Sequence, residues 1–332
     1  MTSSGFAARG ARCARATLRL AVPAALFSIA LPLVAACHTI EPTTIHVSLN
    51  GDDGNPGTED APLASWQAAV DRAGPGDTIL IEPGVYRVSG ARQSGVRLAK
   101  GGTEGAPVTL RGDGGLAVLD CSGLENGSIT YCLHLLSNWW RISNIAVTGA
   151  RQNTDGAWAV GLLIEDASNN VLEGVQSFEN QGPGILITGR SASNVVTDCR
   201  SFANYDARSR VRGGNADGIQ VSSLPAQGTG NVLRRCLSHS NSDDGFDLWE
   251  SEAVVTIEGS TAYRNGYTPG TNTPAGDGSG FKLGRNQSGP LHQIVGNIAY
   301  ENRGFGFDRN GAAAPSNLVA NQSYNNSAGD WK

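Results

Sequence analysis

One four-residue pattern ending in asparagine constrains this chain more than any other feature. Ser177-Phe178-Glu179-Asn180 recurs as Ser201-Phe202-Ala203-Asn204, Ser238-His239-Ser240-Asn241, Ala262-Tyr263-Arg264-Asn265, Ala299-Tyr300-Glu301-Asn302 and Ser323-Tyr324-Asn325-Asn326. The asparagines are 24, 37, 24, 37 and 24 residues apart. A unit this small cannot bury its apolar face alone, so it must stack on its neighbours. A period of this size, with short strands, glycine turns and no long helical pattern, predicts an all-β solenoid with one coil per repeat. The shorter spacing is one bare coil. The longer one is the same coil carrying insertions near 205–214 and 222–230, then near 267–276 and 285–290. Residues 142–164 fit the same frame, with Ala150 in the asparagine slot. The column itself has a structural explanation: an asparagine at a sharp turn tolerates left-handed backbone and can bond its own backbone and the asparagine of the next coil.

What precedes the repeats supplies an export leader and an end cover. Arg9, Arg12, Arg15 and Arg19 lead into an apolar run from Leu20 to Ala36, too short for a membrane span and flanked as a signal peptide is. Val34-Ala35-Ala36-Cys37 resembles a bacterial lipobox, which makes residues 1–36 the leader, Cys37 the acylated anchor and residues 37–44 a tether; simple cleavage after Ala36 is the alternative. Either way the chain is expected outside the cytoplasm, attached to a membrane only through lipid. Residues 45–332 are read as one β-helix domain, and as a monomer. Within it, Ser65 to Arg72 predicts a short helix with Trp66, Ala69 and Val70 on its apolar side, placed to cover the first open end of the core.

Cysteine and charge narrow the chemistry. Beyond Cys13 and Cys37, Cys121 and Cys132 flank a short loop and are expected to pair. Cys199 and Cys236 occupy equivalent places in adjacent repeats and are either a disulfide or two stacked small core residues. The formal net charge of -5 carries no basic excess for nucleic acid, and no cysteine–histidine spacing suits zinc. Lysine is scarce, occurring at 100, 282 and 332 alone.

That scarcity draws attention to three segments between 215 and 284. Gly218-Ile219-Gln220-Val221, Gly245-Phe246-Asp247-Leu248 and Gly280-Phe281-Lys282-Leu283 share one alternation. As strands they place Ile219/Val221, Phe246/Leu248 and Phe281/Leu283 on one face, with Gln220, Asp247 and Lys282 on the other, one per rung. Asp217 and Asp244 each stand just before the strand glycine, and Asp243 precedes Asp244. Asp-Gly pairs also make ordinary turns, but turn formation does not account for Asp247, mid-strand and outward. Such crowding of like charge is costly without a cation. Hard oxygen donors of this kind suit calcium, so the expectation is a calcium cage of Asp217, Asp243, Asp244 and Asp247 beside Lys282 as a base. A structural ion pair from Lys282 to Asp247, or to Asp308 in the matching slot one coil on, is the simpler alternative.

At this point the residues resemble polysaccharide lyase family 9, whose pectate lyases are built on a right-handed parallel β-helix with an asparagine ladder. The resemblance runs from about Ile45 to the C-terminus. It rests weakly on Asn55-Pro56-Gly57-Thr58 and Pro75-Gly76-Asp77-Thr78-Ile79, and specifically on Asn215-Ala216-Asp217-Gly218, Asp243-Asp244-Gly245-Phe246-Asp247 and Gly278-Ser279-Gly280-Phe281-Lys282-Leu283-Gly284. It implies calcium at Asp217, Asp243, Asp244 and Asp247, Lys282 as catalytic base, and cleavage of pectate or polygalacturonate by β-elimination. The chain is shorter than a typical member and stops partway into a coil at Trp331-Lys332, so the outermost subsites are expected to differ.

An anionic polymer needs cations for its other carboxylates. Arg208, Arg210 and Arg212 in the first insertion and Arg285 after the Lys282 strand are the candidates, with Asp308 placed to position Lys282 or meet substrate. Tyr267 is a candidate for stacking on a sugar. Two rival readings remain. One is a pectin hydrolase using paired aspartates, for which Asn153-Thr154-Asp155-Gly156 resembles a glycoside hydrolase family 28 motif although that family's Gly-His-Gly is absent. The other is a surface protein that binds polysaccharide through calcium without turnover.

Overall fold

The computed structural model describes residues 41–285, 290–312 and 317–332; the leader and Cys37 lie outside the described residues. The chain winds through three parallel sheets, of ten, nine and nine strands among the described residues. Beyond the first strand, Thr44–Val47, each sheet takes every third strand, so each coil contributes one rung to each face of a right-handed parallel β-helix.

The turn between the two nine-stranded sheets, after Gln176–Phe178 and before Ile185–Thr188, carries the ladder. Asn180 Nδ2 donates to Asn204 Oδ1 at 3.1 Å, Asn204 to Asn241 at 2.8 Å, Asn241 to Asn265 at 3.0 Å, Asn265 to Asn302 at 2.9 Å and Asn302 to Asn326 at 2.9 Å. Ala150 caps the series by donating its backbone N–H to Asn180 Oδ1. The left-handed residue is not the asparagine but the one before it: Glu179, Ala203, Ser240, Arg264, Glu301 and Asn325 have φ of 52–59°. The asparagine thus keeps its backbone regular and spends its side chain satisfying two buried polar groups that would otherwise be orphaned. Two shorter columns occupy the other turns, Asn170–Asn194–Asn231 and Asn297–Asn321. Cys199 and Cys236 are buried free thiols, the second of the two readings given above, while Cys121 and Cys132 form a disulfide with Cα atoms 5.5 Å apart.

The interior is apolar and in register. Phe246 stacks on Phe281, and Phe281 on Phe307, at 4.7 Å, and Phe307 on Trp331 at 4.6 Å. At the other end the helix Trp66–Arg72, N-capped by Ser65, buries Trp66, Ala69 and Val70 as expected.

Candidate active site

The sheet that includes Ile219–Val221, Phe246–Asp247 and Phe281–Lys282 presents the site on its outer face. Ile219, Phe246 and Phe281 are paired across its rungs, as are Gln220, Asp247 and Lys282, which is the register the alternation predicted. Each rung begins at a glycine for a steric reason. A Cβ on Gly218 would lie 1.7 Å from Ser238 Oγ and 2.7 Å from Asn241 Nδ2, and one on Gly245 would lie 2.6 Å from the Gly280 carbonyl oxygen. Neither glycine has positive φ, so the Asp-Gly pairs are close-packed strand starts and not turns. The aspartates beside them point outward as a consequence.

Four carboxylates and one amine converge there. Asp217, Asp243 and Asp244 each bring an oxygen within 4.8 Å of the other two. Asp244 is wholly buried; its backbone N–H donates to Asp217 Oδ1 at 3.0 Å and its own Oδ1 accepts the Ser279 N–H at 2.6 Å. Lys282 Nζ donates to Asp244 Oδ2 at 2.8 Å and lies 3.7 Å from Asp247 Oδ2. Asp247 Oδ1 is buried without a partner.

Burial pushes the Asp217 carboxyl well above the ordinary carboxylate range, and Asp243, Asp247 and Asp244 push it further. Asp243 rises for the same two reasons, burial and Asp244. Asp247 is raised by burial to about 7, against the pull of Lys282. Burial alone would lower the Lys282 pKa, but Asp244, Asp247, Asp243 and Asp217 outweigh it and keep the amine protonated. Fully ionised, the cage would carry more negative charge than its one ammonium offsets.

A divalent cation fits this donor set. Asp217, Asp243 and Asp244, with the unpartnered oxygen of Asp247, are hard ligands of the type calcium takes.

Residues that the sequence reading passed over complete the site. Asp277, at the end of the insertion near 267–276, accepts from Lys282 Nζ at 3.2 Å and donates its backbone N–H to Asp243 Oδ1 at 2.7 Å. Gly276 lets that loop approach, since a Cβ there would meet Asp243 Oδ1 at 2.4 Å. Arg303 pins the loop by donating to the Gly276 carbonyl at 2.7 Å. Trp249 lies 5.3 Å below Lys282 Nζ and 4.3 Å from the Arg285 guanidinium. The signal available was the run Gly276-Asp277-Gly278, which ends where the Lys282 motif begins.

The other candidates are dispersed. Arg208 donates to the Asn153 carbonyl and sits 3.9 Å from Asp155, on an earlier coil. Arg210 lines a separate hollow with Gly276, Asp277 and Arg303, while Arg212 is exposed. Arg285 stays at the site through Trp249. Asp308 is paired with Lys282 in register but its carboxylate bonds Lys332 at 3.2 Å. Tyr267 Oη meets Ser327 Oγ at 3.2 Å. Asp155, the hydrolase-like aspartate, is almost fully exposed, its one ion pair being to Arg208.

A parallel β-helix that carries a carboxylate cage and a buried amine on one outer sheet face is the class that fold and site define. The family model described as "Pel9A-like, right handed beta helix region" matches residues 45–332, and the chain belongs to that family. It is 33% identical over 287 residues to pectate lyase L of Dickeya chrysanthemi, covering 85% of this chain and 65% of that protein. It is 32% identical over 321 residues to pectate lyase PEL9 of Emericella nidulans, covering 87% of this chain and 74% of the relative. A crystal structure of pectate lyase Pel9A superposes with a TM-score of 0.71 at 32% identity, over 82% of this chain and 66% of the other. A rhamnogalacturonan lyase superposes with a TM-score of 0.73 at 26% identity, over 81% and 70%. The chain thus spans about 65% of the length of the Dickeya enzyme.

Proposed function

We propose that this chain is a calcium-dependent polysaccharide lyase that cleaves a polyuronate of the pectate type by β-elimination. The observation that carries the reading is the meeting of Lys282 at 2.8 Å with Asp244, a member of the three-carboxylate cluster whose Asp217 and Asp243 line an open cavity. The similarity to pectate lyases over most of the chain supports the substrate class.

The difficult step is removal of the weakly acidic proton at carbon 5 of a uronate. Calcium held by Asp217, Asp243, Asp244 and Asp247 would supply positive charge for the substrate carboxylate and the carbanion-like charge beside it. Lys282 takes the carbon 5 proton, for which it must be neutral. Burial already favours the neutral amine, and only the uncompensated carboxylates oppose it. Asp244 and Asp277 hold the nitrogen in place from two sides. Loss of the oxygen at carbon 4 then leaves an unsaturated uronate end.

Export and acylation of Cys37 belong to the same reading, supported by the leader pattern; mass spectrometry of the mature N-terminus tests them. The activity is tested by following ultraviolet absorbance on polygalacturonate with and without chelator. Absorbance that grows and stops on chelation is the expected result. Cleavage without a new absorbance would make the protein a hydrolase, and chelator-insensitive absorbance would remove calcium from the reaction.

A further inference from the structure

The groove is chemically lopsided about the cage. Moving toward earlier coils along the rungs from Asp247, the next outward residues are Gln220, then Leu186, then Leu163. Leu163 and Leu186 belong to an apolar cluster with Tyr131 and Val160, against which Trp158 packs. This cluster is separate from the core and lies on the face that carries the acids. Trp158, Leu163, Leu186 and Gln220 line one cavity of about 540 Å³ with Asp217, Asp243 and Asp247. Among the described residues, neither Lys nor Arg lines it. Glu165, on the same strand as Leu163, also lines it, held by His134 Nε2 at 3.0 Å, whose Nδ1 in turn meets Ser94 Oγ at 3.3 Å. Toward later coils the neighbouring hollow is polar and charged, lined by Arg303 and Lys332 together with Asp277 and Asp308.

Resting on the lyase reading above, we propose that this apolar shelf is a subsite for an uncharged sugar unit next to the uronate at the cage. The unit is one that presents methyl or C–H surface where a second free uronate would present a carboxylate. Trp158, Leu163, Leu186, Gln220 and Glu165 set that choice. A free carboxylate there would be desolvated against leucines without a counter-ion and would face the Glu165 carboxylate, both unfavourable. An uncharged unit loses nothing of this kind and covers apolar and aromatic surface. Gln220 supplies the independent sign of a ligand. Its Oε1 is buried without a hydrogen-bond partner, in a residue that lines the cavity. A sugar hydroxyl can satisfy that oxygen by donating to it.

The test compares oligosaccharides of three kinds at saturating calcium: all free uronate, uronate alternating with its methyl ester, and uronate alternating with a 6-deoxyhexose. Both kcat/KM and calorimetric affinity are measured for the native protein, Leu186→Arg and Glu165→Lys. The second variant changes a half-exposed surface carboxylate and guards against misfolding of the first. The expected result is a preference of about tenfold or more for one of the two mixed oligomers, lost by about tenfold toward the all-uronate oligomer in each folded variant. Which mixed oligomer leads identifies the neighbour as ester or deoxy sugar. A native preference for the all-uronate oligomer that neither variant alters would overturn the subsite while leaving the lyase reading intact. Binding without cleavage of any oligomer would overturn the lyase reading, and the order of affinities would still decide the subsite. No binding of any of the three would overturn the subsite.

Discussion

Lys282 Nζ and Asp244 Oδ2 are 2.8 Å apart with both side chains buried, and the lysine holds the cage's one positive charge against four aspartates. The contact makes the amine an ion-pair partner and a candidate base at once. The two roles separate on whether the cage carboxylates are compensated, and this gives the first prediction.

Lys282→Ala is expected to lower kcat by roughly 10²–10⁴, the range for loss of a general base. It should also lower the melting temperature of the chelated protein by leaving buried carboxylates unpaired. Calcium should restore the melting temperature and not the turnover. A variant that kept most of its turnover would remove Lys282 as the base.

The metal-free protein should lose stability as pH rises. Asp217, Asp243 and Asp247 have folded-state pKa values above the unfolded value of 3.8, Asp247 at about 7. Between those values the unfolded chain has released protons that the folded chain still binds, so unfolding free energy falls with pH. Thermal melts of chelated protein at intervals from pH 4 to 8 should therefore decline through this window. Saturating calcium should flatten the decline. A melting temperature rising over the same interval without calcium would contradict the assigned crowding.

Gly276→Ala should damage the site while sparing the coil. Its Cβ would press on Asp243 Oδ1 and the Gly213 carbonyl, both 2.4 Å away. Calcium affinity measured by calorimetry is expected to fall at least tenfold, with a circular dichroism spectrum unchanged. Native affinity in the variant would mean the two insertions do not meet over Asp243.

At Gly218 the damage should fall on the fold. Gly218→Ala is expected to cost about 1–3 kcal/mol or more as an overpacked core position. Ser238→Ala in the same chain should recover part of that, because Ser238 Oγ is the nearest atom at 1.7 Å, but Asn241 Nδ2 remains at 2.7 Å. Denaturant melts of the two singles and the double give the coupling directly. Additive effects would rule out the contact as the cause.

Cys121→Ser with Cys132→Ser should lower stability by about 2–3 kcal/mol, the value for closing so short a loop. Cys199 and Cys236 should stay unreactive to a thiol reagent until the chain unfolds, since both are buried.

The sequence made the coil legible because a repeated rung repeats its constraint: one asparagine column fixed the period, and the alternation around Gln220, Asp247 and Lys282 fixed the face. The left-handed turn residue was misplaced by one because Glu179, Ala203 and their equivalents share no residue type that advertises positive φ. Asp277, Trp249 and Arg303 were missed for a different reason. Asp277 lies at the end of an insertion, outside the period, and Trp249 and Arg303 lie beside rung residues; tertiary approach brings Asp277 to Lys282 and Asp243, Trp249 to Lys282, and Arg303 to the Gly276 carbonyl behind them. Arg208 was drawn into the site by its nearness in sequence to Asp217, yet its loop folds back on Asn153.

The ladder bonds from Asn180 to Asn204 and from Asn204 to Asn241 are nearly equal in length, although the first spans 24 residues and the second 37. The scaffold is thus indifferent to how much chain is looped out between rungs. Loops that shape the groove can be lengthened, shortened or exchanged between related proteins without shifting Lys282 against Asp244, so recognition and chemistry are free to diversify separately.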